Sequence, residues 1–314
     1  MEKIREWDII GFGAVAVDDL IFVPNYPESD TKIEVAKRER FGGGLTGTAL
    51  VAASRLGAAG AYCGILGKND LSRFTLNEFK NEGVDTSLCI IVNDAQPLHS
   101  TIIIDQSTGR RTIYYSLSGF TPPDPALIQK SLNVPCKLVI FDSFMEDSIP
   151  HIIKTAHRKG IPVLADIESV DIMQQPESLA SIDYLILNRI LAEEITGEKE
   201  PDRVLFALET DQRICTVITK GKSGCWHKIR NEPVFHIPAF SVKEVDTTGC
   251  GDVFHGAFAA ALVRGLDIQT AVMQASAAAA IKATQSGGRK GIPGLNQLNE
   301  FIGNYSGTKP ENIS

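Results

Sequence analysis

What is scarce in this sequence excludes several kinds of protein. Its six cysteines (63, 89, 136, 215, 225 and 250) lie far apart, and none forms a C-x-x-C pair. That spacing speaks against a zinc site or a disulfide framework and for reduced thiols in a cytoplasmic protein. Positive charge is short: 31 Lys and Arg against 38 Asp and Glu leave a net −7, where a nucleic-acid binder carries a basic surplus. No apolar run approaches the roughly 18 residues of a membrane span, and the opening Met1-Glu2-Lys3-Ile4-Arg5-Glu6 is too charged for a signal peptide. Repeats and low-complexity segments are missing, and the polar tail after about Asn304 is expected to fray. What is there is 314 residues, 43% of them hydrophobic, enough to bury a substantial core.

One stretch organises the rest: Val245-Asp246-Thr247-Thr248-Gly249-Cys250-Gly251-Asp252-Val253-Phe254. After Asp252 the apolar residues Val253, Phe254, Ala257, Phe258, Ala261 and Leu262 follow a helical period closed by Gly265. Gly249 and Gly251 therefore fall in a helix's first turn, where backbone N–H groups lack intrahelical partners and an anion can approach. A carboxylate there repels the anion, which makes sense if Asp252 takes a proton from a nucleophile attacking it. A first-turn acid favoured by the helix dipole is the other reading, and the residues alone leave both open.

The same stretch resembles the second signature of the ribokinase-like (PfkB) family of ATP-dependent sugar kinases, D-T-x-G-A-G-D, with Cys250 in place of alanine. Gly42-Gly43-Gly44, leading into a helix that ends Arg55-Leu56-Gly57, resembles the first signature, with Thr48 where most members carry asparagine. The run Gly251-Asp252-Val253-Phe254-His255-Gly256-Ala257 and the loop Gly288-Arg289-x-Gly291-Ile292-Pro293 look like fructokinase-like and 6-deoxy-6-sulfofructose kinase members. The resemblance implies an α/β fold, a three-layer sandwich with a mainly parallel central sheet, as one domain over 1–314. A small β-sheet lid would come from about 17–41 and 97–118.

It also implies a set of roles. Asp252 is the base, with the turn Gly249, Cys250 and Gly251 as its anion hole. Asp18, Gly43, Gly44 and Thr48 hold a sugar. Lys32, from its place on the lid segment alone, reads either as a contact to an anionic substrate group or as a solvated lysine. Asn188, Thr219, Gly221, Gly224 and Ser276 border the nucleotide, the middle three through a T-x-G-x-x-G turn. ATP and Mg²⁺ are the implied cofactors, with a monovalent cation such as K⁺ beside the Gly287–Gly291 loop. The metal's protein ligands stay unassigned, because Leu191 stands where the family's N-x-x-E motif has its glutamate; Glu193 and Glu194 are the nearby acids. A homodimer through the lid is expected. The alternatives are a nucleoside kinase of the same fold and a silent sugar- or nucleotide-binding protein.

The chain's order agrees with such a fold. Gly11-x-Gly13-x-x-Ala16 has the spacing of a dinucleotide fingerprint, but strand-like Val15, Val17, Leu20 and Ile21 follow where a helix should open, so that reading is rejected. Charged, alternating residues up to Phe41 predict exposed β-ribbon, and Leu98–Asp105 with Arg111–Leu117 predict a hairpin. Ala61–Leu66 reads as one strand, and a helix is expected from about Arg73 to Asn81. From Cys136 onward strands and helices alternate, which argues a parallel sheet. Ligands then sit beyond strand carboxyl ends, near Asp166, Asn188 and Thr219. Arg289 reads either as a contact to a nucleotide or sugar phosphate or, as loop arginines usually are, as solvated.

Overall fold

The computed structural model describes residues 6–305 and 311–313. Nine strands form the main sheet in the order Glu311–Ile313, Val234–Ile237, Cys225–Ile229, Cys215–Thr219, Tyr184–Asn188, Val163–Asp166, Leu138–Asp142, Ile9–Phe12, Gly60–Tyr62. The six from Cys215–Thr219 to Gly60–Tyr62 run parallel, and the other three are antiparallel. The parallel strands read as continuous apolar runs because both faces are covered. Alternate side chains part to the two sides. Ile9, Leu138, Ile140, Leu164 and Ile186 pack with Leu50, Phe258 and Ala275, while Ile10, Val139, Phe141, Val163, Leu185 and Leu187 pack with Ile128, Ile152 and Leu205. This is the expected three-layer arrangement.

A second, four-stranded sheet is built from Lys37–Gly43, Ala16–Val23, Leu98–Asp105 and Arg111–Ser116, in that order. Between its first two strands in the chain, residues 24–36 form no strand. The alternation of Lys32-Ile33-Glu34-Val35 had predicted one; Pro24, Pro27 and the left-handed Asp30 (φ 60°) break it. Two other expectations need correction. The strand expected over Ala61–Leu66 splits, since Ile65–Leu66 leaves the main sheet to pair with Ile90–Ile91. The helix expected from Arg73 begins at Asp70, because the Asn69 side chain caps it by accepting from the Ser72 amide. The expectation of fraying past Asn304 falls largely outside the described residues, as does the reading of Met1–Arg5. Glu311–Ile313 lies within them and pairs with Val234–His236.

The topology fixes where ligands can go. From Ile9–Phe12 the chain crosses to Gly60–Tyr62 on one side, and Leu138–Asp142 later adds on the other. Such a switch point opens a crevice at the strands' carboxyl ends. The helix Leu45–Arg55 begins there and packs on the helix Cys250–Val263, backbone close to backbone. A Cβ on Gly256 would lie 2.1 Å from the Ala49 carbonyl oxygen, so only glycine permits that approach. The alanine-rich helix Ile268–Ala283 packs on the same partner, as its small side chains allow.

Candidate active site

The turn before Cys250–Val263 is held by its own polar groups. The Asp246 carboxylate accepts from the Thr248 amide and hydroxyl, the Gly287 amide and the Arg111 guanidinium. Gly249 sits at φ 76° as the N-cap residue, and a Cβ there would lie 2.8 Å from the Gly288 oxygen. No side chain caps this helix, and the space beside Gly251 is open. Unpartnered amides thus face a place an anion can reach.

Asp252 stands in that first turn. Burial and the carboxylates of Asp166, Glu168 and Asp142 push its pKa well up, against the field of Arg289. Asp142 is fully buried at the switch point and accepts from the amides of Ala14, Thr46 and Phe144 and from the Thr46 hydroxyl. Burial still lifts its carboxyl to about 6. Asp166 ends the strand Val163–Asp166, and one of its buried oxygens makes no hydrogen bond but lies 3.4 Å from His255 Nδ1. His255, one turn beyond Asp252, is buried with Nδ1 2.9 Å from the Gly251 carbonyl oxygen and Nε2 3.3 Å from that of Ile186, tying the first turn to the sheet.

On one side of this turn lies a cleft of about 750 Å³, a size suited to a cofactor-like ligand. Asn188, Thr219, Gly221, Gly224 and Ser276 all line it, and Cys250 and Gly251 reach it from the turn. Asn188 also caps the helix Arg189–Thr196, accepting from the Leu191 amide. Leu191 itself is buried in the apolar core, and Glu193 pairs with Arg189. Among the described residues, no group of three or more His, Cys, Asp and Glu side chains is arranged to hold a metal ion.

On the other side, Asp18 from the small sheet approaches the backbone of Gly43, whose added Cβ would meet its carboxylate at 2.4 Å. Gly44 has φ 83°, and a Cβ there would strike the backbone of Ala14 and Val15. Thr48 is buried behind these glycines. Its hydroxyl accepts from Nε of Arg289, which also donates to the Gly43 carbonyl and to Glu78. Arg289 is 4% exposed, so the solvated-loop reading fails. The loop folds back 241 residues in sequence to meet Thr48. The one available signal was that an unusual threonine and a G-R-x-G-I-P loop occur in the same chain. Because Arg289 acts electrostatically on both Asp18 and Asp252, it bridges this pocket and the turn. Lys32 is exposed on the irregular segment 24–36, and no hydrogen bond or ion pair among the described residues links it to Asp18 or Thr48.

Residues 9–294 match the profile described as pfkB family carbohydrate kinase. The chain belongs to that family. Curated pfkB-type relatives include the ribokinase of Bacillus subtilis, 25% identical over 94% of this chain and 99% of that protein. Another is the 5-dehydro-2-deoxygluconokinase of Clostridium botulinum, 26% identical over 96% of this chain and 94% of that one. Among solved structures, the Arabidopsis thaliana ribokinase complexed with ribose and ATP superposes with a TM-score of 0.81 at 21% identity. That match covers 96% of this chain and all of the other, and it supports the fold. The protein is an ATP-dependent carbohydrate kinase of pfkB type.

Proposed function

We propose that the protein transfers the γ-phosphoryl group of ATP to a hydroxymethyl group of a sugar or sugar derivative. The observation that carries this is the position of the turn Gly249–Asp252. It opens on the large cleft through Cys250 and Gly251, and it shares the field of Arg289 with Asp18 on the opposite side. A donor in one pocket and an acceptor in the other would meet over unpartnered amides.

In this reading Asn188, Thr219, Gly221, Gly224 and Ser276 border the nucleotide. Asp18 and the backbone at Gly43 and Gly44 hold acceptor hydroxyls. Thr48 acts by fixing Arg289, and Lys32 is kept for an acceptor carrying an anionic group. Asp252 accepts the hydroxyl proton as that oxygen bonds to the γ-phosphorus and the bond to the β–γ bridging oxygen breaks, ADP leaving with its electron pair. Its raised pKa suits a base that works near neutrality better than an ordinary aspartate would. Amides of Gly249, Gly251 and Asp252 stabilise charge on the transferring group, that of Cys250 being already given to the Thr247 carbonyl; one such donor is worth about 100-fold in rate. The small sheet acts as a lid that excludes water.

Mg²⁺ fits here: the Asp166 oxygen that makes no hydrogen bond and the nearby Glu168 would hold it, and it would offset phosphate charge. No place is assigned to the monovalent cation implied beside the Gly287–Gly291 loop. Asp246, which binds that loop through the Gly287 amide, already carries the Lys282 ammonium on its carbonyl. The exposed apolar face of the lid is where a second copy would pair.

The test is ADP release with Mg-ATP against ketoses, aldoses, their phosphates and nucleosides. Turnover on a free or modified sugar supports the proposal. Preference for a nucleoside replaces the acceptor class, and silence throughout with ATP still bound leaves a binding protein.

A further inference from the structure

Two lysines are buried among the described residues; Lys228 pairs with Glu209, whereas the ammonium of Lys282 has no such partner and no use in the chemistry above. It lies in the last turn of Ile268–Ala283, where a cation complements the helix dipole, but such cations normally reach water. Lys282 is 0% exposed. Taking an ammonium out of water is costly unless the surroundings compensate. Among the described residues no carboxylate comes within ion-pair distance of it. Its hydrogen bond goes to the Asp246 main-chain carbonyl, at 2.9 Å. The carboxylates that bear on it are Asp246 and Asp252, both in the anion-binding stretch, while Arg111 from the small sheet opposes it; the Cys250 thiol beside them is held protonated by burial, its pKa pushed up to about 11.

The surroundings keep it there. The amides of Val245 and Asp246 both donate to the Ala283 carbonyl, which pins this stretch to the end of the lysine's own helix. Gly291 packs against the Lys282 backbone so closely that an added Cβ would lie 2.6 Å from its carbonyl oxygen. The helix end, the glycine-rich loop and the anion turn therefore close around one positive charge. Burial draws its pKa below the ordinary lysine value, and the neighbouring acids oppose that.

Resting on the kinase reading, we infer that Lys282 is the resident cation of the anion-binding turn. As a positioning residue, it holds the Asp246 carbonyl and balances charge that gathers over Gly249–Asp252 during transfer. Turnover therefore needs no dissociable monovalent cation. The charge acts through the turn and does not touch the acceptor.

The experiment compares wild type, Lys282→Ala and Lys282→Met with sodium, potassium or tetramethylammonium as the sole monovalent cation. Mg-ADP binding is measured beside turnover. The wild type is expected to turn over equally in all three. Lys282→Ala should bind Mg-ADP but lose about 100-fold in kcat, the scale of one preorganised electrostatic contact. Ammonium or methylammonium should restore part of that loss, whereas Lys282→Met, with no space left, should not respond. A wild type that requires potassium overturns the inference, even if neither variant folds. So does a folded Lys282→Ala that keeps its kcat, or one whose loss no small cation relieves. A wild type that neither turns over nor binds Mg-ADP would overturn both this inference and the kinase reading, whereas potassium dependence would spare the latter.

Discussion

The two sheets of this protein differ in how they are covered. The nine-stranded sheet is sealed by helices, and Phe141 and Ile140 at its centre are fully buried. The four-stranded sheet has its outer strand Arg111–Ser116 almost wholly in the open, with Ile113 48%, Tyr114 54% and Tyr115 69% exposed. Contiguous exposed apolar residues of this kind mark a surface awaiting a partner or a closure. The sealed sheet supplies rigid carboxyl ends at Asp142, Asp166 and Asn188, and the open sheet supplies Asp18. Reaction geometry is thus assigned to the sealed part and access to the open part. Changes in the former should alter kcat, and changes in the latter should alter binding or assembly.

The largest effect short of removing the base is expected at Gly249. Gly249→Ala forces a side chain into a left-handed conformation beside the Gly288 carbonyl. A shift of the turn by about 1 Å costs roughly 100-fold in kcat. Steady-state kinetics with an unchanged KM for the acceptor would place the loss in transfer. The pH profile comes next. Asp252 works as the carboxylate, and in the metal-free site its pKa is raised from 3.8, so the carboxylate is complete above the raised value and lost as pH drops through it. Mg²⁺ on Asp166 and Glu168 would offset part of that rise, so the Asp252 carboxyl should titrate well above 3.8 without Mg²⁺ and lower with it; a titration at 3.8 in the metal-free protein would mean the acidic neighbours do not act on Asp252.

Smaller effects belong to the open sheet. Replacing Tyr114 and Tyr115 together by serine should leave the thermal transition of the body in place and weaken self-association in sedimentation velocity. A chain that is monomeric at every concentration before the change contradicts pairing through this face. The smallest effect is expected at Lys32. Lys32→Ala should raise KM by only about threefold, for acceptors with an anionic group and not for neutral ones, as suits an exposed charge.

Much of the sealed sheet could be read in the sequence. Strands such as Leu138–Asp142 and Tyr184–Asn188 are short apolar runs, and Gly44 and Gly249 mark helix starts that need left-handed backbone. All five residues assigned to the nucleotide side from a motif resemblance line one cleft. What escaped was set by distant partners. Arg289 looks solvated until Thr48, Gly43 and Glu78 surround it, and Lys282 looks like an ordinary last-turn cation until the Asp246 carbonyl meets it. The segment 24–36 alternates like a strand, but its prolines and left-handed Asp30 prevail. The antiparallel strands Cys225–Ile229 and Val234–Ile237 went unread because Trp226, His227, Phe235 and His236 give no clear alternation of apolar and polar residues.

The most direct test is the turnover of Asp252→Asn beside wild type, with Mg-ADP affinity and thermal transition recorded for both. Asparagine keeps the shape and removes the proton acceptor, so kcat should fall by about 100-fold or more with nucleotide binding intact, within the range for general base catalysis. A folded variant that binds Mg-ADP and keeps near wild-type kcat would contradict the assignment of Asp252 as the base.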